Sequence, residues 1–175
     1  LPAELFRNDF LSSQHIIEPL LHVDGKGNLV PCLAETWKVA DDLKSITFTL
    51  RKGVKFHDGT DFNAAAAKWN MENAIASKQV PSRKSIDIID DYTIRLNLNM
   101  WANTILTSFD SAYSWMVSPT AFEKNGADWM RNHSVGTGPF KFVSFERDVA
   151  YKSVKNPDYW IKGKPYKKAL ESDRI

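Results

Sequence analysis

Cysteine is almost absent: Cys32 is the single one in 175 residues. An intramolecular disulfide is therefore excluded, and cysteine usage says little about compartment. Set between Pro31 and Leu33, that thiol reads as a small packed residue rather than a nucleophile. Long apolar runs are missing too, since no stretch approaches the roughly 20 residues that a membrane-crossing helix needs. The opening LPAELFRNDF lacks the charged start and apolar stretch of a secretion signal. Neither sign of charge dominates, because 23 basic residues face 21 acidic ones. With no basic cluster denser than KGKPYKK at 162–168, nucleic acid has no electrostatic footprint here, and that tail reads as solvated surface. The sequence also has no G-x-S-x-G, H-E-x-x-H, C-x-x-C or G-x-G-x-x-G. The usual signatures of a hydrolase elbow, a zinc protease, a redox pair and a dinucleotide fold are thus absent.

What is present is a hydrophobic content of 43%, enough for one domain with a core, or one large domain with a small appendage. NDFLSSQHIIEPLL (8–21) opens on capping residues and places Phe10, Ser13, Ile17 and Leu20 or Leu21 at helical spacing, which predicts a three-turn helix ending near Pro19. VDGKGNLVP predicts a glycine turn and a short strand. In SITFTLR (45–51), Ile46, Phe48 and Leu50 alternate with Thr47, Thr49 and Arg51, a half-buried strand that should pair with ETWKVA. Asn63 can cap a helix from Ala64 to about Ser77 with Ala64, Ala67, Met71, Ala74 and Ile75 on its apolar side. SIDIIDDYTIRLNLN predicts a hairpin. NTILTSFDS and SPTAFEKNG predict short helices, the second with Ser118 as cap, Pro119 at its first position and Gly126 past its end. Two further strands run through Phe140, Phe142 and Phe145 and through Val149, Tyr151 and Val154, separated by a polar turn at 146–148. The sum is an α+β fold, a mixed and largely antiparallel sheet with packed helices.

Candidate chemistry centres on RKGVKFHDGTDFNAAAAKWN (51–70). His57, Asp58 and Asp61 supply nitrogen and oxygen donors of a kind that a divalent metal accepts. Their spacing matches no ligand pattern, whereas H-D-G-T is a strong turn signal in which the aspartate bonds its own backbone. The turn reading sends these side chains to solvent. His15 and Glu18, three apart on the predicted helix, read as a surface pair, with a shared ligand as the alternative. GTGP (136–139) resembles a phosphate-cradling loop, but Pro139 leads into the strand-like FKFVSF and not into a helix, so it reads as a glycine turn. Trp101, Trp115 and Trp129 fall in loop-like or short elements, where an aromatic lines a groove as readily as it closes a core.

Five phrases in fixed order carry a resemblance: IIEPLLHVDGKGNLVPCLAETWKVADD, ITFTLRKGVKFHDGTDFNAAAA, IDDYTIRLNLN, SVGTGPFKFVSFE and VKNPDYWIKGKPY. Together they resemble the family 5 extracytoplasmic solute-binding proteins of peptide and nickel importers, over residues 8–166. The resemblance implies a first-lobe piece of a class II periplasmic-binding-protein-like fold. On it, 1–30 borders the main subdomain of lobe I, 31–155 forms the smaller α+β subdomain, and 156–175 returns toward a main lobe. Set against the family pattern, the resemblance implies that the second lobe lies outside this sequence and that the 76–85 segment is shorter than the family norm. The implied function is capture of a small solute, a peptide or nickel complex, outside the cytoplasm and delivery to an ABC permease. A hinged binder closes two walls on its ligand, so one wall alone is expected to bind weakly or not at all. The implied cleft residues are Phe10, Leu11 and Ser12, and then Tyr113 and Trp115. No cofactor, metal, nucleic-acid partner or catalytic residue is implied. A ligand-sensing regulator module and a metal-dependent hydrolase using His57 and Asp61 are the alternatives.

Overall fold

In a computed structural model of the chain, the described residues are 15–146, 150–163 and 169–173. The centre is a four-stranded antiparallel sheet in the order β4-β5-β7-β6, formed by β4 (Ala34–Val39), β5 (Ser45–Leu50), β6 (Arg83–Asp90) and β7 (Thr93–Leu98). The period-two pattern does what it predicts, since Ile46, Phe48 and Leu50 are fully buried along with Ile94 and Leu96 opposite. The pairing of ETWKVA with SITFTL and the 83–98 hairpin both form.

Helix α1 (Ala64–Ala76) covers one face of that sheet. Asn63 caps it, its Oδ1 accepting the Ala66 N–H at 3.0 Å. Ala64, Ala67, Met71 and Ala74 are buried and Ile75 half-buried, and the short alanines let the helix lie close to the strands. Asn70 is buried on the same side. Its Nδ2 donates to the Ala66 and Val117 carbonyls, each at 2.9 Å, and its Oδ1 accepts the Val117 N–H at 3.0 Å. One amide thereby imitates a strand partner for residue 117 and fastens the helix to the start of the next element.

That element is helix α2 (Pro119–Met130), capped by Ser118, whose Oγ accepts the Ala121 N–H at 3.0 Å. Gly126 breaks the helical path with a φ of 80°, as its position predicts, but the chain resumes helical geometry and continues to Met130. NTILTSFDS is a run of turns with one short 3-10 helix at Thr107–Asp110 in place of an α-helix. A three-stranded antiparallel sheet follows, in the order β11-β10-β9, built from β9 (Phe140–Glu146), β10 (Ala150–Lys155) and β11 (Ala169–Asp173). Strict alternation from Tyr151 buries Ser153 and leaves Val154 exposed, so Val154 does not share the inner face with Tyr151 as the sequence predicts, while Val149 lies outside the described residues. A register shift leaves Val143 as the extra, exposed residue on β9.

The helix predicted over 8–21 is not seen where it can be checked. Residues 8–14 lie outside the described set; His15 and Ile16 form a turn, and Glu18–Pro19 is a strand, β1. It pairs antiparallel with β8 (Trp115–Met116), and β2 (Leu21–Val23) pairs with β3 (Leu29–Pro31) across the glycine turn. The physical reason is that Ile16, Ile17, Leu20 and Leu21 are all fully buried. No amphipathic face exists for a surface helix, and Pro19 lacks the N–H that a helix interior needs.

Two cores result. One lies between the four-stranded sheet and α1 and includes Cys32, whose thiol burial pushes far above its ordinary range. It is the inert packed residue that its neighbours predict. The second joins Ile16, Ile17, Trp115, Val117, Met130, Phe140 and Tyr151 beneath α2.

Candidate ligand-facing site

The H-D-G-T turn forms as predicted, but its histidine does not face solvent. Asp58 Oδ1 accepts from the Thr60 N–H at 3.0 Å and the Thr60 hydroxyl at 2.6 Å, and Gly59 takes a φ of 88°. His57 turns inward onto the GTGP loop. Its backbone N–H reaches the Gly136 carbonyl at 2.8 Å, and its ring Nε2 lies 2.9 Å from the Gly138 carbonyl. Since a carbonyl only accepts, Nε2 carries the proton there, and the buried Nδ1 has no partner. Burial lowers the His57 pKa to about 4, against the opposing pull of that carbonyl. Asp61 is exposed and pairs with Lys55 at 2.6 Å. His57 and Asp61 are thus held by separate partners and do not converge on a common reacting atom.

GTGP feeds β9 as expected, yet neither of its glycines has a positive φ. They serve close approach instead. A Cβ on Gly136 would stand 2.2 Å from the Ile16 carbonyl oxygen, and one on Gly138 would stand 2.6 Å from that of His15. The Gly138 N–H, which a phosphate would need, donates to the Ile16 carbonyl at 2.9 Å.

Glu18 also departs from expectation. It is 4% exposed and is not paired with the exposed His15. Its carboxylate accepts from the Thr137 hydroxyl at 2.8 Å, the Tyr159 hydroxyl at 2.6 Å and the Trp160 indole N–H at 2.8 Å. Trp160 in turn lies under the Arg51 guanidinium at 4.5 Å. Glu18 therefore ties β1, the GTGP loop and the N-P-D-Y-W segment into one knot.

Of the candidate cleft residues, Phe10, Leu11 and Ser12 fall outside the described residues. Trp115 is 6% exposed and packs into the second core. Trp101 and Trp129 are half-buried, the latter stacked on His133 at 4.2 Å. Tyr113 is half-buried on the loop between β7 and β8, and its hydroxyl lies 3.5 Å from Gln79 Oε1 on the segment after α1. This loop rests on Arg83, a residue that the sequence reading passed over. Arg83 is 2% exposed; its Nη2 donates to the Ser114 hydroxyl at 2.8 Å and the Ser108 hydroxyl at 3.0 Å, and its guanidinium sits 4.4 Å from the Phe109 ring centre. Its only sequence signal is a charged residue at the start of an alternating strand.

The family model for bacterial extracellular solute-binding proteins, family 5, matches residues 28–173. The chain belongs to that family. Among curated family 5 relatives, the glutathione-binding protein GsiB of Salmonella choleraesuis is 33% identical over 168 residues, covering 90% of this chain and 33% of the relative. Heme-binding protein A of Haemophilus influenzae is 33% identical, covering 85% and 32% respectively. Among solved structures, NikA from Brucella suis in complex with Fe(III)-EDTA matches with a TM-score of 0.84 and 28% identity over 99% of this chain and 37% of its own. DppA from Helicobacter pylori in complex with a peptide gives 0.86 and 25% over 99% and 40%. The chain thus spans about a third of the length of these family 5 proteins. The α+β architecture with antiparallel sheets is theirs, and these relatives are solute-binding proteins.

Proposed function

We propose that this chain is part of a receptor that captures a small solute outside the cytoplasm and delivers it to an ABC permease, with the second lobe supplied by sequence beyond these residues. The observation that carries the reading is the family match over 28–173, joined to relatives at 33% identity across 85–90% of the chain. The solute is a peptide or peptide-like molecule such as glutathione, a metal complex, or haem, as the relatives' names suggest. Tyr113, with Phe10, Leu11 and Ser12, contacts it; Trp115, one strand residue beyond the loop, takes the same wall and steadies it from within the core. The bordering segment 1–30, the subdomain 31–155 and the return segment 156–175 belong to this proposal. A receptor wall needs rigid elements under its contact loop, and Asn70, Glu18 and Arg83 each tie a loop to a strand or helix. No observation favours the regulator or hydrolase alternatives.

The test is calorimetric titration of the full-length protein with glutathione, a dipeptide pool, haem and nickel complexes. Saturable binding of at least one, weakened about tenfold or more by Tyr113→Ala, is the expected result. Binding of none of them, or binding indifferent to Tyr113→Ala, overturns the assignment of this loop to the solute.

A further inference from the structure

Glu18 and Arg83 are the two Asp, Glu, Lys or Arg side chains buried among the described residues. Both meet neutral partners, but Arg83 differs in that part of its hydrogen-bonding capacity is unmet. Its Nη2 meets only neutral oxygens of Ser108 and Ser114, and its buried Nε and Nη1 have no hydrogen-bond partner. A guanidinium keeps its charge at neutral pH even when burial lowers its proton affinity, as it does here to a pKa of about 10. An unpaired buried charge of this kind is costly unless something answers it.

The surroundings supply no answer. The segment after α1, residues 77–85, contains Lys78, Arg83 and Lys84 and no acid. The loop 99–116 contains one acid, Asp110, and its two carboxylate oxygens are engaged elsewhere, one by His22 Nδ1 at 2.7 Å and the other by the Val23 N–H at 3.0 Å. Tyr113 stands on this positively charged base, adjacent in sequence to Ser114, which Arg83 holds. A solute seated on Tyr113 therefore meets a field that low-dielectric surroundings leave poorly screened.

We propose that the Tyr113 site prefers solutes with an extra carboxylate or similar anionic group, net negative in charge, over net-neutral ones, and that Arg83 sets this preference from beneath the loop. The inference rests on the reading of Tyr113 as solute-facing. Arg83 is a positioning and field-setting residue, since its burial keeps it from touching the solute directly. The loop that it clamps and the charge that it supplies act at one place.

The experiment uses the full-length protein and matched probes: glutathione with its glycine-amide form, and the dipeptide Ala-Asp with Ala-Asn. Within at least one pair, wild type should bind the acidic member about tenfold more tightly than its neutral partner. Arg83→Lys should keep most of that ratio. Arg83→Met, with an unchanged circular-dichroism melt, should reduce it to below about threefold, while Tyr113→Ala weakens both members. If Tyr113→Ala weakens both and Arg83→Met leaves the ratio unchanged, the anion preference is wrong and the solute-facing reading of Tyr113 stands. If Tyr113→Ala changes neither, both fall together. Wild type that binds no acidic probe, or binds the acidic and neutral members equally, also overturns the preference.

Discussion

The Glu18 knot and the Arg83 clamp are both buried ionisable groups that hold loops, and they are built in opposite ways. Glu18 accepts from three neutral donors on two segments distant in sequence. Arg83 reaches a single short loop, and part of its donor set is unpartnered. A carboxylate surrounded by donors is a finished piece of scaffold, because each contact that solvates it also fixes a backbone segment. A guanidinium with vacant N–H groups stabilises less and projects more charge. The difference separates a place where the fold is held together from the place proposed to face a solute.

The largest effect should come from breaking the knot. Glu18→Leu takes the acceptor from three donors at once, and the expected loss is about 3–5 kcal/mol of folding stability, read as a fall in the urea midpoint. A loss under about 1 kcal/mol would show that Glu18 is not structural. Next in size is a pH effect at His57. Its folded pKa of about 4 lies below the unfolded value of 6.5, so the unfolded chain binds the extra proton first. The contribution is complete above pH 6.5 and is lost as pH falls toward 4, about 1–3 kcal/mol in all. Urea titrations at pH 7 and pH 4.5 should show this slope in wild type and a flatter one in His57→Gln. Equal slopes would mean that His57 titrates as an exposed residue.

The smallest stability effect is expected at Arg83. In Arg83→Met the Ser108 and Ser114 hydroxyls still donate, to the Ile105 carbonyl at 2.6 Å and the Ser108 carbonyl at 3.1 Å, so no hydroxyl is orphaned. Removing a charge without a counter-ion then costs under about 1 kcal/mol or stabilises. A loss as large as that of Glu18→Leu would erase the contrast between the two sites.

Local pattern was enough for the elements whose signals are local. The alternation of Ile46, Phe48 and Leu50 fixes a strand face, Asn63 and Ser118 mark helix starts, and H-D-G-T closes on its own backbone. The ordered phrases from I-I-E-P-L-L to N-P-D-Y-W carried the family as well. The signal failed over 15–21, where helical spacing of apolar residues also fits a stretch buried on all sides, and periodicity does not separate the two. It failed again for His57, because a turn motif specifies the backbone path and not the direction of a neighbouring ring.

Sequence by itself thus determined the α+β class, the central hairpins, the caps and the family. Tertiary structure decided what each polar group meets: Glu18 against Thr137, Tyr159 and Trp160, Asn70 against Val117, His57 against Gly138, and Arg83 against Ser108 and Ser114. Strand and cap signals arise from neighbours a few residues apart. The pairing of a buried charge depends on segments separated by 25 to 142 residues, and only packing brings those together.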